Sequence, residues 1–598
     1  MTEETDDPVR TVSRRTLLGA SAGLAVGGTA GCVQHVGEVL GTNVDGQVSL
    51  TVKTLPADTD AAMTRIARRL VKNLQAVGIN AQIELQPPRE HRKDVLMRGE
   101  YDIYVGQAQG GTDPDFLRPL LHSSFVDEQG KQNPFSVIDI TIDKLLSAQR
   151  QASGTQRQRF VADLQREIAN KQPFGVLSFP SEIWAARTDR FRGWSRFPPT
   201  DPLSYVHLAT AASGDDREPV IRLTTTDIAS TRNLNPVAIQ HRTRGIFTGL
   251  LYDPLARDID GTVTPWLAEE WSWQREGESS VCTVRLRPDL TWHDGKAITA
   301  SDVAFTYRFL NDTLMGSGDT PVPSPRFRGR SSLVESLSVI DDHTLIVHCP
   351  NTSPEVGTRA LTVPILPAHI WRERAVKTTA GWLDDTEPVS EAVLWTNAEP
   401  VGSGVVQFEG RAKDESLVLT RADDHFLHQT ATPAVPDPIA GGIAFDRLSL
   451  RVAPSSHAAV QLLSADEADA TAMSIAPNSV PRVGQDDQLQ LYVENGRSFH
   501  YLGFNTQRQP LDDPLVRRAI TRLLDKHYIV ESIFDGFALP ATSPLTGTDW
   551  EPSDLIWNGS DPEVPFVGAD GSVDGERARE LFRDAGLEYS DDGRLLDR

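Results

Sequence analysis

A change of hydrophobic period between residues 48 and 106 constrains the fold more than any other feature of this chain. Val48 to Thr54 ("VSLTVKT") alternates as a strand, and Met63, Ile66, Leu70, Leu74 and Val77 then mark one face of a helix that Gly78 stops. Ile79, Ala81, Ile83 and Leu85 alternate again, and "YDIYVG" at 101–106 reads as a third strand. Strand, helix, strand is the unit of a sheet covered by helices, so the chain is an α/β protein. Further helices are predicted over 157–170 and 301–310. The polar, small-residue stretch "AASGDDREP", 211–219, reads as a linker, after which "VIRLTTTDI" opens a second unit rich in short strand runs such as "SSVCTVRLRP" and "ESLVLTR". The last residues, "ARELFRDAGLEYSDDGRLLDR", supply a helix, an Asp592-Gly593 turn and the start of a strand at Leu595-Leu596.

At 598 residues the chain can bury two or more cores. A formal net charge of -23 repels phosphate backbones and argues against nucleic acid as a partner. Arginine outnumbers lysine about fivefold, and an Asp/Glu-rich, lysine-poor surface stays hydrated in concentrated salt. That composition fits a halophilic, haloarchaeal-like protein; an acidic, GC-rich proteome is the alternative. The three cysteines, Cys32, Cys282 and Cys349, cannot build a disulfide scaffold. Cys282 and Cys349 lie in strand-like runs, where they either pair or stay as buried thiols.

Ser13-Arg14-Arg15-Thr16-Leu17-Leu18 resembles a twin-arginine export signal, and the apolar run from Leu17 to Gly28 is too short and glycine-rich to span a bilayer. Thr29-Ala30-Gly31-Cys32 resembles a lipoprotein cleavage box in which Cys32 receives the lipid, with Thr29 standing where leucine is usual. An ordinary N-terminal helix is the alternative. Residues 1–32 are thus expected to be the signal and 33–47 a tether, leaving the protein on the extracellular face of the cell membrane.

Residues 261–310, "GTVTPWLAEEWSWQREGESSVCTVRLRPDLTWHDGKAITASDVAFTYRFL", resemble the signature region of the peptide/nickel family (family 5) of ABC-importer solute-binding proteins. There a "P-LAE-W" stretch leads to a strand, "LRP---FHDG", and "TA-DV" opening a helix. Asp294-Gly295 suits a tight turn, and Thr299 or Ser301 with Asp302 suits a helix start. "ILPAHIW" at 365–371, "PVGSGVVQFEG" at 400–410 and the long block from "YLGFNTQRQPLDDPLVRRAI" at 501 resemble later family segments in the family's order. The front of the chain, by contrast, resembles the family's C-terminal region, through "VKNLQAVGINAQIEL" and "YDIYVGQAQGGTDPD".

The resemblance therefore implies a two-lobe periplasmic-binding-protein-like fold (type II, cluster C) with a hinge, circularly permuted. Lobe 2 would comprise 48–190 and 491–598, lobe 1 219–490, with 191–218 as the return to lobe 1 and linker. Two truncated halves completed by partners are the alternative. If the permutation holds, 595–598 and 48–54 lie together in one lobe.

The resemblance also implies a function: a monomeric binding protein that captures a peptide or other small polar solute and delivers it to an ABC permease served by ATPase subunits. No cofactor and no covalent chemistry are implied. Peptide-binding relatives place an aspartate for the ligand's ammonium in a "GW--D--DPD" segment and pair the ligand backbone as an added strand. Here Gln107 stands for the tryptophan and Gly110 for that aspartate. Free-amine peptides should bind less well, leaving blocked or longer peptides, sugars or other polar solutes, with Gln107 and Gln109 as hydrogen-bonding candidates. Asp113 either meets ligand or shapes a turn. Tyr501 and Asn505 lie where the family strand approaches ligand, and Tyr501 fits a core role equally. Thr226 and Asp227 form a lip after a strand or an Asx-turn. Trp292 and His293 read as structural. A sensor without transport, a chelated metal or haem ligand, and a secreted hydrolase remain as rivals; no G-x-S-x-G, HExxH or zinc-spaced Cys/His pattern supports the last.

Overall fold

The computed structural model describes residues 46–128, 132–211, 219–238, 245–378, 389–428, 435–436 and 439–597. The expected export signal, Cys32 and most of the tether lie outside the described residues, as does most of the 211–219 linker. The chain divides into Met1–Gln47 and Val48–Arg598, and both lobes belong to the second unit.

Strand β1 (Ser49–Thr54) pairs in parallel with β2 (Asn80–Leu85) and with β3 (Ile103–Gln109). The crossover from β1 to β2 is the helix Ala61–Ala76, and Asp60 caps it by accepting a hydrogen bond from the Met63 amide at 2.9 Å. Such a cap is worth about 1 kcal/mol. The helix covers the sheet with Ile66, Leu70 and Leu74, all fully buried, as the 3.6-residue period requires. The sheet continues through the strand Ser498–Phe504, β4 (Phe174–Pro180) and Ala538–Pro540, in the order β2, β1, β3, 498–504, β4, 538–540. This six-stranded sheet is the heart of lobe 2.

Lobe 1 is built on a seven-stranded sheet. Its order is Val406–Ala412, Ser416–Arg421, Arg447–Val452, Val220–Thr225, Ala470–Thr471, β5 (Glu182–Arg187) and Leu489–Glu494. Beside it lies a four-stranded antiparallel sheet made of Ala268–Glu276, Ser279–Leu286, Thr344–Cys349 and Ser336–Val339. Cys282 and Cys349 sit in it as free, buried thiols. Burial pushes the Cys349 thiol up to about 12 and the Cys282 thiol further still. The helix Ala300–Asn311 starts as anticipated: the Thr299 amide donates to the Asp302 carboxylate at 3.0 Å. Trp292 is buried, and His293 bonds the Gly404 carbonyl at 2.9 Å and accepts from the Gly402 amide at 3.2 Å. Two signature segments more than a hundred residues apart thereby lock together.

Two strands cross between the lobes. β4 in lobe 2 runs into β5 in lobe 1 through Ser181, and Leu489–Glu494 in lobe 1 runs into Ser498–Phe504 in lobe 2 through residues 495–497. The boundaries expected at 190/191 and 490/491 are thus corrected to Ser181 and to 495–497. The cause is the largely apolar stretch "FGVLSFPSEIWAAR", which reads as one strand but is shared by two sheets, β5 pairing with Leu489–Glu494 from Arg187↔Leu489 to Glu182↔Glu494. The crossings touch. A Cβ on Gly496 would come 2.0 Å from the Pro180 carbonyl oxygen, so only glycine fits there.

The Val48 amide donates to the Leu595 carbonyl at 2.9 Å, and the Leu595 amide donates to the Gly78 carbonyl at 2.9 Å. Leu595 is buried in the same core as Val48 and Leu50. Leu595–Leu596 does not extend the six-stranded sheet; it closes a small hairpin with Glu588–Tyr589.

Candidate functional site

The carboxyl end of β3 is where lobe 2 meets the crossings and lobe 1. Ser498–Phe504 pairs with β3 along its whole length, from Phe504↔Ile103 to Ser498↔Gln109. The register with β1 holds only Val52↔Ile103 and Lys53↔Tyr104. Among the described residues, Gly106 to Gln109 therefore continue with a strand on one side only.

Gln107 is half-buried, opposite His500. Gln109 is exposed and its side-chain amide oxygen accepts from the Ser498 hydroxyl at 2.8 Å. The Gly110 amide donates to the Arg497 carbonyl at 2.8 Å, and a Cβ at position 110 would come 2.6 Å from that oxygen. The backbone approach that holds β3 to the crossing thus leaves no room for the aspartate found here in the family pattern.

Asp113 is tied up within the protein. It caps the turn at 114–117 by accepting from the Asp115 amide at 2.9 Å, and it takes two hydrogen bonds from Arg157, at 2.9 and 2.6 Å. Burial pushes its carboxyl up, but Arg157, helped by Arg359, outweighs that and holds it below the usual carboxylate range.

From Asp113 a polar chain leads into lobe 1. Arg359 lies 3.5 Å from Asp113 and donates to Asp258 at 2.6 Å, and the Thr112 hydroxyl donates to the same Asp258 oxygen at 3.1 Å. Arg157 also donates to Glu355 at 2.8 Å. Arg150, paired with Asp115 at 2.8 Å, reaches the Gly329 carbonyl at 3.2 Å. Elsewhere along the seam Met97 of lobe 2 packs with Val389, Val393 and Leu394 of lobe 1. Between the crossings and this chain sit Glu494 and Asp201. Burial pushes the carboxyls of both up, against the pull of Arg497 on each.

Tyr501 is 7% exposed, packs edge-on against Tyr104 and Phe135, and shares a 3.0 Å hydroxyl contact with Tyr104. Asn505 is buried and donates to the carbonyls of Gly99 at 3.0 Å and Tyr101 at 3.1 Å. Thr226 is exposed, and Asp227 forms an Asx-turn onto the Ala229 amide at 2.8 Å. The geometry thus gathers Gln107, Gln109 and Asp113 at one end of β3, leaves Tyr501 and Asn505 in the body of lobe 2, and puts Thr226 and Asp227 on lobe 1. Arg157, Arg359, Asp258 and Glu355 escaped the sequence reading. Nothing local marks them, since Arg157 and Glu355 are 198 positions apart.

The model for "Bacterial extracellular solute-binding proteins, family 5 Middle" matches residues 262–596. The dipeptide-binding protein of Escherichia coli K12 is 24% identical over 349 residues, covering 56% of this chain and 58% of that protein. Di/tripeptide-binding protein 2 of Pseudomonas aeruginosa is 27% identical over 351 residues, with the same coverage of 56% and 58%. The chain thus spans about three-fifths of the length of these relatives. The solved structure of the oligopeptide-binding protein AppA from Bacillus subtilis with a nonapeptide aligns at a TM-score of 0.44 and 19% identity, over 63% of this chain and 68% of that one. With more than half of its residues inside the family model, this chain belongs to the family 5 bacterial extracellular solute-binding proteins.

Proposed function

We propose that this protein captures a peptide-like or other polar solute between its two lobes and hands it to the permease of an ABC importer. The observation that carries this reading is the pairing of two touching crossings with a rim of polar bridges. Thr112, Asp113 and Arg157 meet Asp258, Arg359 and Glu355 across the seam, so parting the lobes breaks those bonds and leaves the crossings intact. The one-sided edge of Gly106 to Gln109 would pair with an extended ligand backbone. Gln107 and Gln109 would hold amides or hydroxyls, and with Gly110 in place of an acid and Asp113 engaged by arginine, a free ammonium has no ready partner. Thr226 and Asp227 would form the facing lip. The names of the relatives, peptide binders among them, support the peptide-like class. Mass spectrometry of solute co-purifying with the protein tests this reading. A recurrent peptide or polar solute is expected; turnover of substrates in a hydrolase panel would overturn it.

Export by the twin-arginine route and lipid attachment at Cys32 belong to the same proposal. Intact mass of the membrane-extracted protein, with and without Cys32→Ala, checks the anchor. The rotated order of family segments is read as a circular permutation, supported by the bond from Val48 to Leu595 inside one core. A rearranged chain placing 219–597 before 48–211 should fold with a similar melting temperature, and failure to fold would count against the permutation.

A further inference from the structure

The end of the lobe 2 sheet that faces the crossings carries buried polar groups without a partner among the described residues. His500 and Ser178 are opposite one another where Ser498–Phe504 pairs with β4. Each lies two residues from the point where its strand leaves for the other lobe. His500 is 3% exposed and Ser178 0%, yet both imidazole nitrogens and the Ser178 hydroxyl lack a hydrogen-bond partner among the described residues. Thr54, the last residue of β1, is also fully buried with its hydroxyl unpartnered.

By the two-residue period, Thr54 faces the same side as Leu50 and Val52, and His500 the same side as Leu502 and Phe504. Those four residues share one core, the one beneath the helix Ala61–Ala76. Gln107 sits between, on β3, opposite His500. A stripe of Thr54, Gln107, His500 and Ser178 thus runs across four adjacent strands at their hinge-facing end. The Phe534 ring, 5.3 Å from the imidazole, closes its inner side.

Buried donors and acceptors in native proteins are nearly always paired, so a run of such atoms on one sheet end points to a partner outside the described residues. Its chemistry is uncharged. Burial holds the His500 imidazole below its ordinary pKa, hence neutral at pH 7, with one nitrogen donating and one accepting. Each hydroxyl does both. Of the charged groups near it, Lys53 is paired with Asp94 at 2.6 Å and Asp113 with Arg157. Asp60, the carboxylate whose charge reaches His500, caps the helix at the Met63 amide.

We propose that Thr54, Gln107, His500 and Ser178 form a subsite for an uncharged group that both donates and accepts hydrogen bonds, a primary amide or a hydroxyl of the captured solute. The assignment rests on the solute-capture reading and adds the chemical class of the ligand. A carboxylate entering the stripe meets the charge of Asp60, which already reaches His500, while an ammonium, which only donates, leaves the donor nitrogen of the imidazole unsatisfied.

Isothermal titration of the full chain with three probes tests this. N-acetyl-Ala-Gln-Ala-N-methylamide presents a single primary amide, maltotriose presents hydroxyls, and N-acetyl-Ala-Glu-Ala-N-methylamide is the charged control without one. At least one neutral probe is expected to bind about tenfold or more tighter than the control, and which one binds identifies the source. Thr54→Val and Ser178→Ala should each weaken that probe about five- to tenfold, the worth of one hydrogen bond, with an unchanged or higher melting temperature. The ring nitrogen resonances of His500 should shift on binding. Equal binding of the charged control overturns the assignment, and so does unaltered binding by both variants, which would mean that the stripe holds ordered water only. Binding of none of the probes overturns it too, while the solute-capture reading stands or falls separately on the co-purified solute.

Discussion

The two ends of the strand Ser498–Phe504 are equally buried and are furnished in opposite ways. At the far end Asn505 spends its whole amide on the protein: its nitrogen donates to Gly99 and Tyr101, and its oxygen accepts from the Gln507 amide at 3.2 Å. Beside it Asp102 takes the Thr51 amide and Arg508, each at 2.9 Å. At the hinge-facing end the side chains of His500, Ser178 and Thr54 bond to nothing among the described residues. Burial alone does not separate scaffold from site. What separates them is whether the chain supplies the partners itself, because an internal bond stabilises the fold and an unmade one is a standing cost of about 1–3 kcal/mol.

The comparison can be broken most forcefully at the far end. Asn505→Leu strands the carbonyls of Gly99 and Tyr101, and urea unfolding should show a loss of about 3 kcal/mol; a loss near zero would erase the contrast between the two ends. The next effect is in pH. His91 packs against Tyr104, and burial, with the charge of Lys53, lowers its pKa to about 4. Between the unfolded value of about 6.5 and that figure, the unfolded chain takes up a proton that the folded chain refuses. Stability should therefore fall as pH drops through this window, by at most about 1.4 kcal/mol per unit, and His91→Phe should flatten that slope in denaturation curves at pH 7 and pH 5.

A smaller effect is expected at the seam. Arg359→Ala removes the pairs to Asp258 and Asp113. Because the guanidinium is partly exposed, the stability change should stay within about 1 kcal/mol, while small-angle scattering should show a larger radius of gyration. The smallest is Thr54→Val: no bond is lost, so stability should hold within about 0.5 kcal/mol or rise.

Much of lobe 2 was legible because periodicity and punctuation are local. The alternation of Val48–Thr54, the stripe Ile66, Leu70, Leu74 and the stop at Gly78 are each visible within a few residues, and so is the Thr299–Asp302 helix start. The crossing at Ser181 was not legible, since strands buried in two different sheets have the same apolar composition and only the short Pro180-Ser181-Glu182 stretch separates them. The seam was still less so. Asp113 reads from sequence as either a ligand contact or a turn former; the turn at 114–117 is present, while its pairing with Arg157 and Arg359 depends on tertiary approach across both lobes. The orphaned hydroxyls could not be foreseen either, because Thr54 and Ser178 look like ordinary strand residues until their neighbours are known.

The contact between Gly496 and the Pro180 carbonyl has a mechanical consequence. Two strands pressed together at one point act as a single axle: they can twist about their common line, but neither can slide past the other without collision. A lobe motion of the kind proposed is thereby reduced to nearly one degree of freedom. Work done at the rim, far from the axle, acts with the longest lever, so a few contacts made there by a bound solute would govern the angle of the whole molecule.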